Sequence, residues 1–239
     1  MTQRAPRIVI LNPNTNAETT RQMVTIAAQF APKGASVEGH TVATGAALIT
    51  TPDELACAAQ AVCREATALE CADGVVVAAF GDPGLHSLRR LLSVPVVGLA
   101  EASMAQAAAY GRFTVVTTTP KLVAPIEQHA ADYGHAAELI GVRVPECDPA
   151  QLMADPAALI AAMRACIDTA VARDGAKAVI IGGGPLARAA RRLAQDCPVP
   201  LLEPVPVAVQ HLANRLPQAL QDAPSYGRTG GGAGNLEGE

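Results

Sequence analysis

The chain has 239 residues, half of them apolar but only 3% aromatic, with no Trp and a net charge of −4. That length holds one large or two small domains with a sizeable core, and the absence of a basic block excludes a nucleic-acid binder. No apolar run reaches the roughly 18 residues of a membrane span, and the opening "MTQRAPRIVILNPNT" carries too short an apolar stretch for a secretory signal, so a cytoplasmic protein without membrane contact is expected.

In chain order, "RIVILNPNT" from Arg7 is a β-branched run followed by a helical pattern. "TNAE" at Thr15 to Glu18 fits a capping box, with Met23, Ile26, Ala27 and Phe30 on one helix face. A second capping box, "TPDE" from Thr51, leads a stripe of Leu55, Ala59, Val62, Ala66 and Leu69. The buried strand "GVVVAAFGDPGL" then breaks at a glycine, with Ala79 as its last position, and "VPVVGLAEA" follows.

The pattern then starts again. "RFTVVTTTP" begins at Arg112, 105 residues after Arg7, and "KLVAPIEQHAADYG" follows as a helix that Pro125 strains after its first turn. "AVIIGGGPLARAARRL" echoes the strand and helix around Asp82, and "VPLLEPVPV" echoes "VPVVGLAEA". Thr51-Pro52, Asp82-Pro83, Thr119-Pro120, Asp155-Pro156 and Gly184-Pro185 each set a cap before proline at a first helical position. Continuous apolar strands alternating with amphipathic helices predict an α/β fold of parallel sheets covered on both faces. A duplicated unit predicts two pseudo-symmetric lobes: residues 1–105, with the chain returning over 200–220, and residues 106–222. The glycine-rich segment 223–239 reads as a disordered tail.

Ligands of open parallel sheets bind at the C-terminal strand ends. Four loops, 11–15, 78–84, 117–120 and 182–186, therefore converge on one cleft. The Asn12 and Asn14 amides suit a neutral amide or a carboxylate, unless they serve only to fix a turn. Thr117 and Thr118 bring hydroxyls, and Thr119 is a hydroxyl donor or simply a helix cap. Asp82 reads as a cap. Gly182, Gly183 and Gly184 let backbone approach a ligand closely and form an anion-holding nest. Neither a P-loop nor a GxGxxG spacing is present, so nucleotide binding is weakly supported. The six cysteines form no CxxC and have no histidine at ligand spacing, which predicts no metal; Cys57, Cys63 and Cys166 read as small buried helix residues.

"NPNT", "FGDPGL", "RFTVVTTT" and "GGGPL", in this order over roughly residues 7 to 215, resemble the aspartate/glutamate/hydantoin racemase superfamily, and within it the hydantoin/allantoin racemase branch. The resemblance implies two α/β lobes with the active site between them and cofactor-independent chemistry beside a carbonyl. It also implies two thiols on opposite sides of the substrate, one removing the α-proton and the other returning a proton. The first would precede "FGDPGL", where this sequence has Ala79; the second would follow Gly182, where it has Gly183. The substrate-binding positions expected are Asn12, Asn14, Ala79, Phe80, Gly81, Thr117, Thr118, Gly183 and Gly184.

Three functions stand open on these residues. One is altered chemistry, a decarboxylase or other lyase or isomerase acting beside a carbonyl of a small ureide, amino acid or dicarboxylic acid. Its nearest polar candidates in sequence are His40, His86, Glu101, Tyr110 and Lys121. Another is a racemase of hydantoin, allantoin or an amino acid that uses other acid–base groups. The last is a binding paralogue without turnover. The expected partner is a small-molecule carboxylate or ureide, no cofactor is expected, and a homo-oligomer is open.

Overall fold

A computed structural model describes residues 4–147, 152, 154–183 and 186–221. The first half runs β1 (Arg7–Asn12), α1 (Ala17–Ala27), β2 (Ser36–Thr41), α2 (Pro52–Arg64), β3 (Gly74–Val77), α3 (Leu85–Leu91) and β4 (Val96–Gly98). Helix α4 (Leu99–Ala108) leads into β5 (Phe113–Thr117), α5 (Val123–Asp132), β6 (Leu139–Arg143), α6 (Pro156–Ala172), β7 (Ala178–Gly182), α7 (Ala187–Ala194) and β8 (Leu201–Leu202). Helices α8 (Pro204–Ala213) and α9 (Gln218–Gln221) complete the described chain. The strand orders are β2-β1-β3-β4 and β6-β5-β7-β8, with every pairing parallel. The same order in both sheets is the duplication expressed in space.

Alternation along the strands decides which face meets what. Val9, Leu11, Val75, Val77 and Val96 turn to one side of the first sheet and pack with Val62, Leu85 and Leu88 of α2 and α3. Ile8, Ile10, Val76 and Val97 turn to the other side and join Phe113, Val115 and Ile180 of the second sheet in one continuous core. The far side of the second sheet packs Val116, Val179 and Ile181 against α6 and α7. Each side chain buried this fully contributes about 1.5–3 kcal/mol, so the core shared by both sheets binds the lobes together. Helix α8 closes on the first sheet at Gly74, where a Cβ would fall 2.9 Å from the Leu212 Cδ1.

Local signals hold in part. The Thr51 box forms as expected: the Thr51 hydroxyl accepts from the Glu54 N–H at 3.2 Å, and a Glu54 carboxylate oxygen accepts from the Thr51 N–H at 3.0 Å. Asp155 likewise caps α6, accepting from the N–H groups of Ala157 and Ala158. At α1 the cap is Asn16, not Thr15: its side chain accepts from the Glu18 and Thr19 N–H groups. Phe30 lies past the end of α1 and is exposed. The buried residues of α2 are Ala58, Ala61 and Val62, so Leu55 and Ala59 sit at the margin of the expected stripe.

Pro125 brings no strain, because a 3-10 turn at Pro120–Leu122 delays α5 to Val123 and sets the proline in its first turn, where the N–H has no intrahelical partner to lose. Thr119 makes no side-chain cap bond. Strand β3 ends at Val77, short of Ala79. Cys57 is exposed, and Cys63 and Cys166 are half-buried rather than buried. Among the described residues no helix is long and apolar enough to cross a membrane. The expected tail and the Gly184-Pro185 cap lie outside the described residues.

Candidate functional site

Past β3 the backbone turns sharply: Gly81, Asp82 and Gly84 all take positive φ, at 124°, 47° and 75°. Asp82 is the non-glycine residue among them, and a left-handed conformation there needs compensation. Its carboxylate supplies it, accepting from the Ala100 N–H at 2.9 Å, the Glu101 N–H at 2.7 Å and the Tyr133 hydroxyl at 2.9 Å. Asp82 is thus a cap, but of α4 rather than of the helix that follows it. Helix α3 starts behind Gly84 with no side-chain cap. Gly98 makes the reach possible, since any Cβ there would collide with the Asp82 carboxyl.

Burial raises the Asp82 carboxyl to about 6 although its three donors pull the other way. The Tyr133 hydroxyl is pushed far above its ordinary range by burial and by Asp82. The His129 ring stacks on Tyr133, with centroids 5.7 Å apart and planes 12° apart. Burial lowers His129, and the nearby Asp132 carboxylate partly offsets that. Helix α5 of the second lobe is therefore fastened to the turn after β3 of the first.

A second fastening is apolar. A Cβ on Gly182 would lie 3.1 Å from the Phe80 ring and 3.1 Å from Val115. The Phe80 ring rests on the end of β7 from the opposite lobe, and a side chain at Gly182 would press on it unless the ring gave way.

The other expected site residues divide by how their polar atoms are engaged. Asn12 is fully buried, and its amide nitrogen faces Asn14 Oδ1, the Asn16 carbonyl and Thr20 Oγ1 at 3.0–3.1 Å while its oxygen accepts from the Asn14 N–H. It is occupied in fixing the turn. Asn14 accepts from the Asn16 N–H, but its amide nitrogen donates to no described residue, which leaves it available to a ligand. The Thr117 and Thr119 hydroxyls bond each other at 3.0 Å, and Thr118 is buried beside them. Ala79 is half-buried, and Gly184 lies outside the described residues.

A cleft of about 310 Å³ opens between the lobes, at the small end of ligand-site volumes. Gln22, Gln29 and Leu99 line its first-lobe wall, and Gly183, Arg191 and Glu203 its second-lobe wall. Gly183 is thus an expected site residue that does line a cavity, at φ 145°. None of the six cysteines lines this cleft, and neither do His40, His86, Glu101, Tyr110 or Lys121. His40 pairs with Glu65, Glu101 pairs with Arg89 at 2.6 Å and Arg215 at 3.7 Å, and His86, Tyr110 and Lys121 are exposed. Among the described residues no group of three His, Cys, Asp or Glu side chains is placed to hold a metal.

Glu203 escaped the sequence reading. Its only signal was a lone acid between a buried strand and a proline, in "LLEP". One carboxylate oxygen accepts from the Arg191 Nε at 3.0 Å, and the other is buried without a hydrogen-bond donor among the described residues. Burial raises this carboxyl, against the pull of Arg191.

Comparison with known proteins fits this architecture. A family model described as Asp/Glu/Hydantoin racemase matches residues 8–212. A hydantoin racemase of Paenarthrobacter aurescens is 27% identical over 206 residues, covering 84% of this chain and 87% of that protein. An allantoin racemase from Klebsiella pneumoniae superposes with a TM-score of 0.81 at 29% identity, covering 88% of this chain and 87% of that one. The allantoin racemase from Pseudomonas fluorescens superposes with a TM-score of 0.82 at 30% identity, covering 87% and 89%.

Proposed function

The chain belongs to the Asp/Glu/hydantoin racemase family, and from that membership we propose that it exchanges the proton on the carbon beside a carbonyl in a small cyclic ureide of the hydantoin or allantoin class. The reaction takes place where the ends of β3 and β7 meet. The observation that carries this reading is the Phe80 ring resting on Gly182. It draws together the two segments that hold Ala79 and Gly183, the positions the family resemblance gives to the proton-transferring groups.

In that seam a flat ureide exposes its acidic carbon to both lobes, as inversion requires. The charge that develops on the carbonyl oxygen is met by backbone N–H groups of the turn after β3 and of Gly183, and by the free Asn14 amide. Asn14, Ala79, Phe80, Gly81, Thr118 and Gly183 supply the binding surface, while Asn12 and Thr117 hold the shape of the turns beneath it. With Ala79 and Gly183 at the two positions, solvent water takes the place of the thiols: one water accepts the proton from the carbon, and another returns a proton to it from the opposite face. The racemase relatives favour proton exchange over loss of carbon dioxide.

The test is proton NMR in deuterated water with hydantoins and allantoin, alongside polarimetry. Loss of the C5 proton signal together with decay of rotation is the expected result; neither change with any of these compounds overturns the proposal. Ala79 and Gly183 favour one second reading, a protein that binds the same ureides without turnover. It predicts saturable binding with no deuterium uptake.

A further inference from the structure

The duplication creates two related crevices between the lobes, and the structure fills only one. Between α3, α5 and the start of α4, Tyr133 and Asp82 occupy the space. Arg89 of α3 is consumed there, donating twice to the Val96 carbonyl and once to Glu101. The counterpart lies between α7, α1 and the start of α8, and there the cleft of about 310 Å³ stays open. Arg191 of α7 holds the position in the "RRL" repeat that Arg89 holds in α3. It spends only its Nε on Glu203, and its two terminal nitrogens donate to no described residue.

We propose that the Arg191–Glu203 pair is the specificity element of this cleft, selecting a neutral ureide or amide group on the ligand and turning away a carboxylate. This rests on the reading above, in which the cleft beside Gly183 receives part of the substrate. The chemistry follows from the atoms left over. The terminal Arg191 N–H groups want a carbonyl oxygen. The second Glu203 oxygen, buried and one bond short, wants an N–H. Glu203 lines the cleft beside Arg191, and its last torsion is soft, being an sp³–sp² bond, so the carboxyl adjusts to meet a ligand N–H there. An amide or ureide edge offers both partners side by side. A carboxylate offers two acceptors and meets the Glu203 charge instead, in a partly dehydrated site where like charges repel strongly. Glu203 also cancels the Arg191 charge that would otherwise attract an acid.

Calorimetric titration of the full chain tests this with two matched ligands: allantoin, whose substituent is a neutral ureido group, and hydantoin-5-acetic acid, whose substituent is a carboxylate. The native protein is expected to bind allantoin at least about tenfold more tightly, and in Glu203→Gln that ratio is expected to fall by about tenfold or more through stronger binding of the acid. Arg191→Gln, the control should Glu203→Gln fail to fold, is expected to weaken allantoin binding with an unchanged melting temperature. An unchanged ratio in folded Glu203→Gln, or an unaffected allantoin affinity in folded Arg191→Gln, overturns the proposal. The same two ligands in deuterated water separate it from the reading beneath. The predicted binding pattern without proton exchange upholds the specificity element and overturns the activity. Exchange with no dependence on Glu203 does the reverse.

Discussion

The Asp82 carboxylate of the first lobe accepts a 2.9 Å hydrogen bond from the Tyr133 hydroxyl of the second, across 51 residues of chain. Asp82 also caps α4, so one buried carboxylate ties together a strand-end turn, the helix between the lobes and the helix of the opposite lobe. Tyr133→Phe removes one of its three donors and leaves the ring in place. A hydrogen bond to a charged group contributes about 1.5–3 kcal/mol, and a loss of that size in urea denaturation, with a broadly unchanged slope, is the expected outcome.

The pH dependence of stability has a definite sign here. Burial raises folded Asp82 from its ordinary value of 3.8 to about 6, so between those values the folded state holds a proton that the unfolded state has released. Asp82 therefore makes stability fall as pH rises from about 4 to about 6, by at most about 3 kcal/mol. The falling limb should flatten in Asp82→Asn, which keeps the shape but cannot titrate. Parallel pH profiles for the two proteins in chemical denaturation would contradict the assignment.

Gly182→Ala tests the contact of Phe80 with β7. The new methyl group would lie 3.1 Å from both the Phe80 ring and Val115, tighter than most such contacts, and overpacking of this kind costs about 1–3 kcal/mol. Adding Phe80→Leu should recover part of that loss in thermal unfolding, because the smaller side chain vacates the space. Additive losses in the double variant would show that the two positions do not press on each other.

Asn12→Ala separates a turn-fixing residue from a ligand-binding one. Its amide is bonded on both ends within the buried turn, and the change strands those partners at a cost of about 1–3 kcal/mol. Asn14→Ala, by contrast, should weaken ureide binding more than it lowers the melting temperature. The reverse ranking in paired calorimetry and melting curves would exchange their roles.

Installing thiols at both walls, Ala79→Cys with Gly183→Cys, should raise deuterium uptake by hydantoins by about 10²-fold or more, the scale of general acid–base catalysis. Ala79 accepts the change readily, being half-buried. Gly183 sits at φ 145° with its would-be Cβ 3.3 Å from Leu186, so the second change should also cost about 1–3 kcal/mol of stability. Unaltered exchange in the folded double variant would remove both positions from the catalytic seam.

What the sequence determined by itself was everything that depends on neighbours along the chain. Alternation, repeat order and proline positions specified two parallel sheets of the same design. The Thr51 and Asp155 caps were legible because the capping side chain and the N–H groups that donate to it lie two or three residues apart. Asn16 was missed in favour of Thr15 by a single residue, since both are good caps and only the backbone geometry chooses. Tertiary structure alone decided where the long reaches go. The Asp82 carboxylate serves a helix 18 residues onward, Phe80 covers Gly182 from the other lobe, and Arg191 meets Glu203 across a strand. Local pattern records that a residue is apolar, or that it can cap, but its partner is selected by how two packed lobes bring remote surfaces together, and that selection leaves no periodic trace in the chain.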